Sequence, residues 1–306
     1  MLSILNSNQP VAWAFVPLSG LALFLGMCGL NLVELHSWTA LLAICVSAWL
    51  LHQMHLESGM RTRPGSIPGW VWVLVATPAL GMMADATWWV FPCFFQGLRK
   101  VLTLREGERR PVTFMFIAMW WCAGVLLEAS AWPLLPAFMV AMLLVRRPGE
   151  EEILALLLGL AAPWLLTGTI VWLTEGALRP FWAWRPELAP GVLLVTLWLA
   201  VPTAVGWMAR QRSLRTATAQ QRFSRQLTQW AGLLGVLFLL LTEAWDWSMT
   251  EAHFNGGAAF PGALAFLAAW SWPWLMPPGK RWTKVAVYAF AVMSAGVVFI
   301  RYWLGV

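Results

Sequence analysis

Apolar residues run along this chain in long stretches, and short polar gaps punctuate them. A bilayer core calls for about 20 apolar residues per helix. Stretches near that length predict eleven helices, at 10–33, 38–55, 68–83, 86–101, 113–128, 131–146, 153–175, 188–209, 228–248, 258–277 and 283–304. A membrane β-barrel would instead alternate apolar and polar positions over ~10-residue segments. The expected fold class is therefore all-α: one polytopic transmembrane helical bundle over residues 1–306, with about 11 helices. The range is 9–11, because the third to sixth stretches, within 68–101 and 113–146, are short. They form either tight spanning hairpins or re-entrant pairs, and both return the chain to its starting side. Pro10 suits a first helical turn, where its missing N–H costs nothing. Pro17, Pro78, Pro163 and Pro202 suit membrane helices in which neighbouring groups satisfy the freed carbonyls.

Composition fixes the class. Hydrophobic residues are 60% of the 306 and charged residues 11%, with a mean hydropathy of +0.67. A soluble domain carries roughly 25% charged residues, so this chain cannot cover itself with a polar surface. Net charge +6 does not point to a nucleic acid, because the cations are spread over many gaps and not gathered on one face. They fill every second gap. With the N-terminus inside, 17 of the 20 Lys and Arg residues fall on the cytoplasmic side, including Arg61, Arg99, Arg110, Arg146 and Arg210. Only Arg179, Arg185 and Arg301 fall outside. The positive-inside rule then gives N-inside and, with an odd helix count, C-outside. The localisation implied is the bacterial inner (cytoplasmic) membrane.

The start, MLSILNSNQP, lacks a basic n-region and a small-residue cleavage site, so the first helix is expected to insert and remain. The longest polar stretch, 210–228, reads as a basic cytoplasmic linker, solvated or lying on anionic head groups. Cys28, Cys45, Cys93 and Cys122 lie in apolar segments without C-x-x-C spacing and read as small core side chains. His52 and His55 stand i, i+3 at the inner end of the second helix, with no further ligand at metal spacing, and read as interfacial anchors. No metal site and no cofactor are expected, since no phosphate loop, dinucleotide fingerprint or zinc motif occurs in a confirming context. Glu150, Glu151 and Glu152 precede the seventh helix as a charge cap on its dipole.

Ionisable residues are scarce within the helices; Glu243 alone sits clearly inside one, near its outer end. A proton- or sodium-coupled pump would need a relay through the middle. The outer side is richer, with Glu34, Asp85, Glu128, Glu175, Glu187, Asp246 and Glu251 beside many tryptophans. Acids in such a rim can hold a sugar or act as general base on an acceptor hydroxyl, and indoles can stack on sugar rings. Interfacial enrichment of Trp and the freedom of acids to collect outside would give the same pattern without a site. The catalytic candidates are Asp85 and Glu34. The ligand-binding candidates are Trp88, Trp89, Glu128, Arg185, Glu243, Trp245, Asp246 and Trp247.

The stretch LRKVLTLREGERRPVTFMFIAMWWCAGVLLEASAWPLLPAFMVAMLLVRRPGEEEILALLLGLAAPW, with the polar start SNQP, resembles an uncharacterised integral membrane protein family of Bacteroidetes. The likeness lies in the basic turn Arg99 to Arg110, a Gly-containing helix pair, the exit at Arg146 and Arg147, and Gly159 to Pro163. It covers about residues 1–15 and 95–180, and departs by using Ala, Trp and Arg where such proteins show Phe, Tyr, Asn and Lys. It implies a fold and no catalytic residue. More distantly, the chain is similar to glycosyltransferases of the GT-C class, which use polyprenyl-linked donors and place catalytic acids in their first outer loops. Glu34 and Asp85 occupy the first two outer loops here, but the first loop is short and no soluble outer domain follows the last helix.

The function expected is a non-enzymatic inner-membrane protein of envelope biogenesis, binding partner membrane proteins or lipid-linked intermediates. The partners are membrane lipids, with a polyprenyl-phosphate-linked intermediate or other inner-membrane proteins, and no nucleic acid. The alternatives are a GT-C-like transferase acting at the outer face and a lipid or solute carrier.

Overall fold

A computed structural model of the chain describes residues 10–57, 67–81, 85–104, 110–128, 131–132, 134–146, 148–175, 222–223, 226–235, 237 and 281–304. The helices expected at 188–209 and 258–277, most of that at 228–248 and most of the 210–228 linker lie outside these residues. Among the described residues the regular structure is helical. The helices are α1 (Pro10–Gly29), α2 (Trp38–Glu57), α3 (Ile67–Ala76), α4 (Asp85–Thr103), α5 (Pro111–Leu127), α6 (Leu134–Val145), α7 (Glu150–Glu175) and α8 (Arg281–Leu304). Short 3-10 turns at Leu35–Ser37 and Thr77–Ala79 precede α2 and follow α3. The last residues of the expected linker, 226–228, already belong to a helical stretch.

Two described spans, Leu35–Glu57 and Glu150–Thr174, are long and apolar enough to cross a membrane. The short stretches of the sequence stay short where α3 has 10 residues and α6 has 12. At ~1.5 Å per residue, neither approaches the ~30 Å of a hydrocarbon core.

Side-chain contacts show how the helices run. Thr39 meets Asp85 at the first turns of α2 and α4, and Glu57 meets Arg99 near their last, so these two helices are parallel. α4 and α5 are antiparallel, because Thr87 at the start of α4 reaches Glu128 just past the end of α5. α5 and α7 run the same way from Arg110 and Glu152 upward to Cys122 and Leu160. Among the described residues, α2 and α4 thus run one way and α5 and α7 the other, and polar groups collect at two ends. One end holds Glu57, Arg99, Arg110, Arg146 and Glu152; the other holds Asp85, Thr39, Thr87, Glu128 and Arg301.

The core is aromatic. Trp72 is surrounded by Trp88, Phe91 and Phe95 at centroid distances of 6.5, 5.5 and 5.2 Å. Its Nε1 donates to the Ile44 carbonyl, and Trp121 Nε1 donates to that of Phe94, so these two indoles each join two helices by one hydrogen bond. His52 and His55 are 2% and 3% exposed. They do not stand at a surface as interfacial anchors, because the α2 face that carries them is turned into the bundle. Cys93 and Cys122 are buried as expected, while Cys28 and Cys45 are half-buried; all four thiols are free.

The proline expectation resolves to an atom. Pro78 has no N–H to offer the Leu74 carbonyl four residues back, and Ser294 Oγ of α8 donates to that carbonyl at 2.5 Å instead. Ser294 and Arg301 lie two turns apart on one face of α8, with buried Val297 and Val298 between them. That stripe fastens α8 along α3.

The end of α1 is shaped by Asn31, whose φ of 56° is left-handed. Leu32 N–H donates to Met27 O and Asn31 N–H to Cys28 O, the six-to-one and five-to-two bonds of a Schellman motif. Asparagine tolerates this conformation and a β-branched residue does not. Asn31→Val is expected to cost about 1–2 kcal/mol and Asn31→Gly close to nothing, read as shifts in thermal melting in detergent.

Candidate functional site

The ends of α1, α3 and α4 surround an open pocket of about 490 Å³. Its wall is Asn31, Leu32, Val33, Glu34, His36 and Ser37 on one side and Gly81 and Asp85 on the other. The Schellman turn sends the chain from α1 across the pocket. The 3-10 turn at Leu35–Ser37 then feeds α2, placing Glu34, His36 and Ser37 within three residues of one another in sequence. Gly81, at φ 79°, makes the opposite turn. A Cβ there would lie 2.9 Å from Leu32 O and 3.2 Å from Val33, so only glycine lets the two walls approach this closely.

Asp85 sits in the first turn of α4, where the helix dipole favours a carboxylate. Thr39 donates to its Oδ2 at 3.4 Å, a long bond that leaves most of its acceptor capacity for a ligand. Glu34 and His36 form a 2.9 Å pair with side chains 81% and 71% exposed. An exposed pair of this kind is worth little energetically, so Glu34 can exchange its partner at low cost. Ser37 is 6% exposed and lines the pocket. Trp38, next in sequence, is 58% exposed.

Beneath the Gly81 turn lies Arg301. It is 2% exposed, and its Nη1 donates to the carbonyls of Pro78 and Leu80 at 2.5 and 2.8 Å. Pro78 lies in the 3-10 turn that follows α3 and Leu80 caps it, so both carbonyls stand where a helical segment ends. The Arg301 Nη2 atom would lie 3.7 Å from a Cβ on Gly81, so the guanidinium underlies the wall of the pocket.

The candidates read from the sequence separate on this geometry. Glu34 and Asp85, 51 positions apart in the chain, line one pocket. Glu128 stands apart from that lining; its Oε2 receives Thr87 Oγ1 at 3.4 Å. Trp88 is a correction. It is 1% exposed, with Trp72 and Phe91 against its ring, and so presents no face to a ligand. The helical spacing of Trp88, Phe91 and Phe95 directs that stripe to the core. Trp89 is half-buried. Arg185, Glu243, Trp245, Asp246 and Trp247 lie outside the described residues. Sequence reasoning missed Ser37, which carries no signal of its own, and Arg301, which it counted only as an outer charge. A cation closing an apolar helix two turns after a serine was the available signal. In comparisons with protein-family models, curated proteins and solved structures, nothing matches the chain.

Proposed function

We propose that this is a multi-pass protein of the bacterial inner membrane that binds a lipid-linked intermediate of envelope biogenesis by its head group. In this reading the Glu57–Arg99 end faces the cytoplasm, as the charge count requires, and the pocket opens outside. Both acids and a buried hydroxyl on one open pocket carry the proposal. Carboxylates accept from hydroxyl or ammonium donors, and the volume lies within the ~300–1,000 Å³ range of small-molecule sites. The apolar body supports the same reading. Leu157, Leu158, Leu165 and Leu166 of α7 and Leu18 and Leu25 of α1 are exposed, as side chains facing acyl chains are.

The test is purification in mild detergent followed by native mass spectrometry of bound lipid. The double variant Glu34→Gln/Asp85→Asn should retain at least about ten-fold less of it, since each carboxylate contributes charge-assisted hydrogen bonds. Equal retention by the variant, or no bound lipid on the wild-type chain, overturns the proposal.

The weak engagement of Asp85 by Thr39 favours a second reading, group transfer with Asp85 as general base toward an acceptor hydroxyl. It differs in outcome: Asp85→Asn would then abolish turnover of a polyprenyl-linked donor while leaving lipid retention intact.

A further inference from the structure

We infer that Arg301 is the positioning residue of the outer-end pocket, holding the Pro78–Gly81 turn so that its two walls stay closed on each other. This rests on the pocket being the functional site, but its geometry stands apart from what the pocket binds. Three observations meet at this residue. Its guanidinium is buried beneath the turn and donates to two of its carbonyls, Pro78 O and Leu80 O. The residue after those carbonyls is Gly81, whose positive φ and close approach to Leu32 and Val33 make the wall-to-wall contact. The Arg301 Nη2 atom would stand 3.7 Å from a Cβ at that same glycine, and Arg301 is not among the residues that line the pocket.

The planar guanidinium fixes the directions of its N–H bonds and is more weakly hydrated than an ammonium, so it is the better buried donor to two carbonyls. Burial raises the cost of losing these bonds, because charged donors and orphaned carbonyls are both left unsatisfied. The Pro78–Gly81 turn therefore owes its position to a side chain from the far end of the sequence. Arg301 makes α8 part of the site although no residue of α8 lines it. Ser294 provides the internal comparison, since it fastens the same two helices without touching the turn.

The experiment places a reporter thiol in the full chain by Ser37→Cys and follows its maleimide labelling, site by site, by peptide mass spectrometry. The native buried thiols Cys93 and Cys122 report general loosening in the same sample. Arg301→Gln should raise labelling at position 37 by about ten-fold or more while Cys93 and Cys122 stay protected. Arg301→Lys should fall between it and the parent, which covers the case in which the glutamine variant does not fold. Ser294→Ala should leave position 37 unchanged. Unchanged labelling in both Arg301 variants overturns the inference. So does labelling that rises together with Cys93 and Cys122, or a rise of equal size in Ser294→Ala. If Arg301→Gln opens position 37 but the wild-type chain retains no lipid, the positioning role holds and the head-group reading fails.

Discussion

Glu152→Ala is expected to lower stability by about 3–5 kcal/mol, the usual consequence of removing one partner from a buried ion pair. The Glu152 carboxylate is 4% exposed and receives three donors. Arg146 Nη2 reaches Oε1 at 2.9 Å, the Arg110 N–H reaches the same oxygen at 3.2 Å, and the Gly149 N–H reaches Oε2 at 2.9 Å. The last of these is the reach-back bond of a capping box at the start of α7. The other two join the end of α6 and the start of α5 to it. The Arg146 guanidinium, its side chain 10% exposed, also lies 5.1 Å over the Phe114 ring. Alanine would deprive that cation of its carboxylate and strand two backbone donors in one step. The comparison that isolates burial from helix-dipole effects is close at hand. Glu150 and Glu151 occupy the same first turn but are exposed, so their alanine variants should each cost no more than about 0.5 kcal/mol. Thermal melting or denaturant titration in detergent reads the difference. Equal losses for all three would mean that Glu152 acts only through the dipole.

The same acid shows what the sequence could and could not reveal. Its role as a cap was legible, because a run of glutamates before an apolar helix has one common meaning. Its burial was not, because Arg146 and the start of α5 reach it from other elements. Helix existence was legible throughout the described residues: Pro10–Gly29, Trp38–Glu57 and Arg281–Leu304 begin and end within a few positions of the apolar stretches. The phase of each helix was not. When a helix is apolar all round, nothing distinguishes the stripe that packs from the stripe that stays open. Trp88 and Trp38 illustrate the point. Both stand near the same end and both suit a binding rim, yet one is 1% exposed and the other 58%. The candidate site followed the same division. That Glu34 and Asp85 share a side followed from counting crossings, whereas their shared pocket depends on the left-handed turns at Asn31 and Gly81. That Pro78 would free a carbonyl was foreseeable in kind, but the donor to that carbonyl, Leu74 O, stands 220 residues away in α8.

Gly159→Val is expected to disrupt the α5–α7 pair, at a cost of about 3 kcal/mol or more, with Gly159→Ala lower on the same scale. Any Cβ at position 159 would overlap the Met115 carbonyl and press within 2.9 Å of the Ala118 methyl. The Met115 carbonyl is helical backbone, which cannot swing aside as a long side chain would, so the helices must separate. Separation also costs the Cys122 Sγ contact to Leu160 O at 3.3 Å. That contact supplies the readout. With Leu160→Cys added, a short bifunctional thiol-reactive reagent such as a bis-methanethiosulfonate should crosslink positions 122 and 160 in the parent, releasing one sulfinate per thiol, and lose most of that yield in Gly159→Val. The control is Gly26→Ala, where an added methyl meets nothing within 4 Å and melting should barely move. Two small residues in apolar helices, one pressed to a neighbour's backbone and one facing open space, thus carry opposite expectations. Full crosslinking and unchanged melting in Gly159→Val would mean that α5 and α7 do not cross at backbone contact, and would remove α7's alignment with the rest of the bundle.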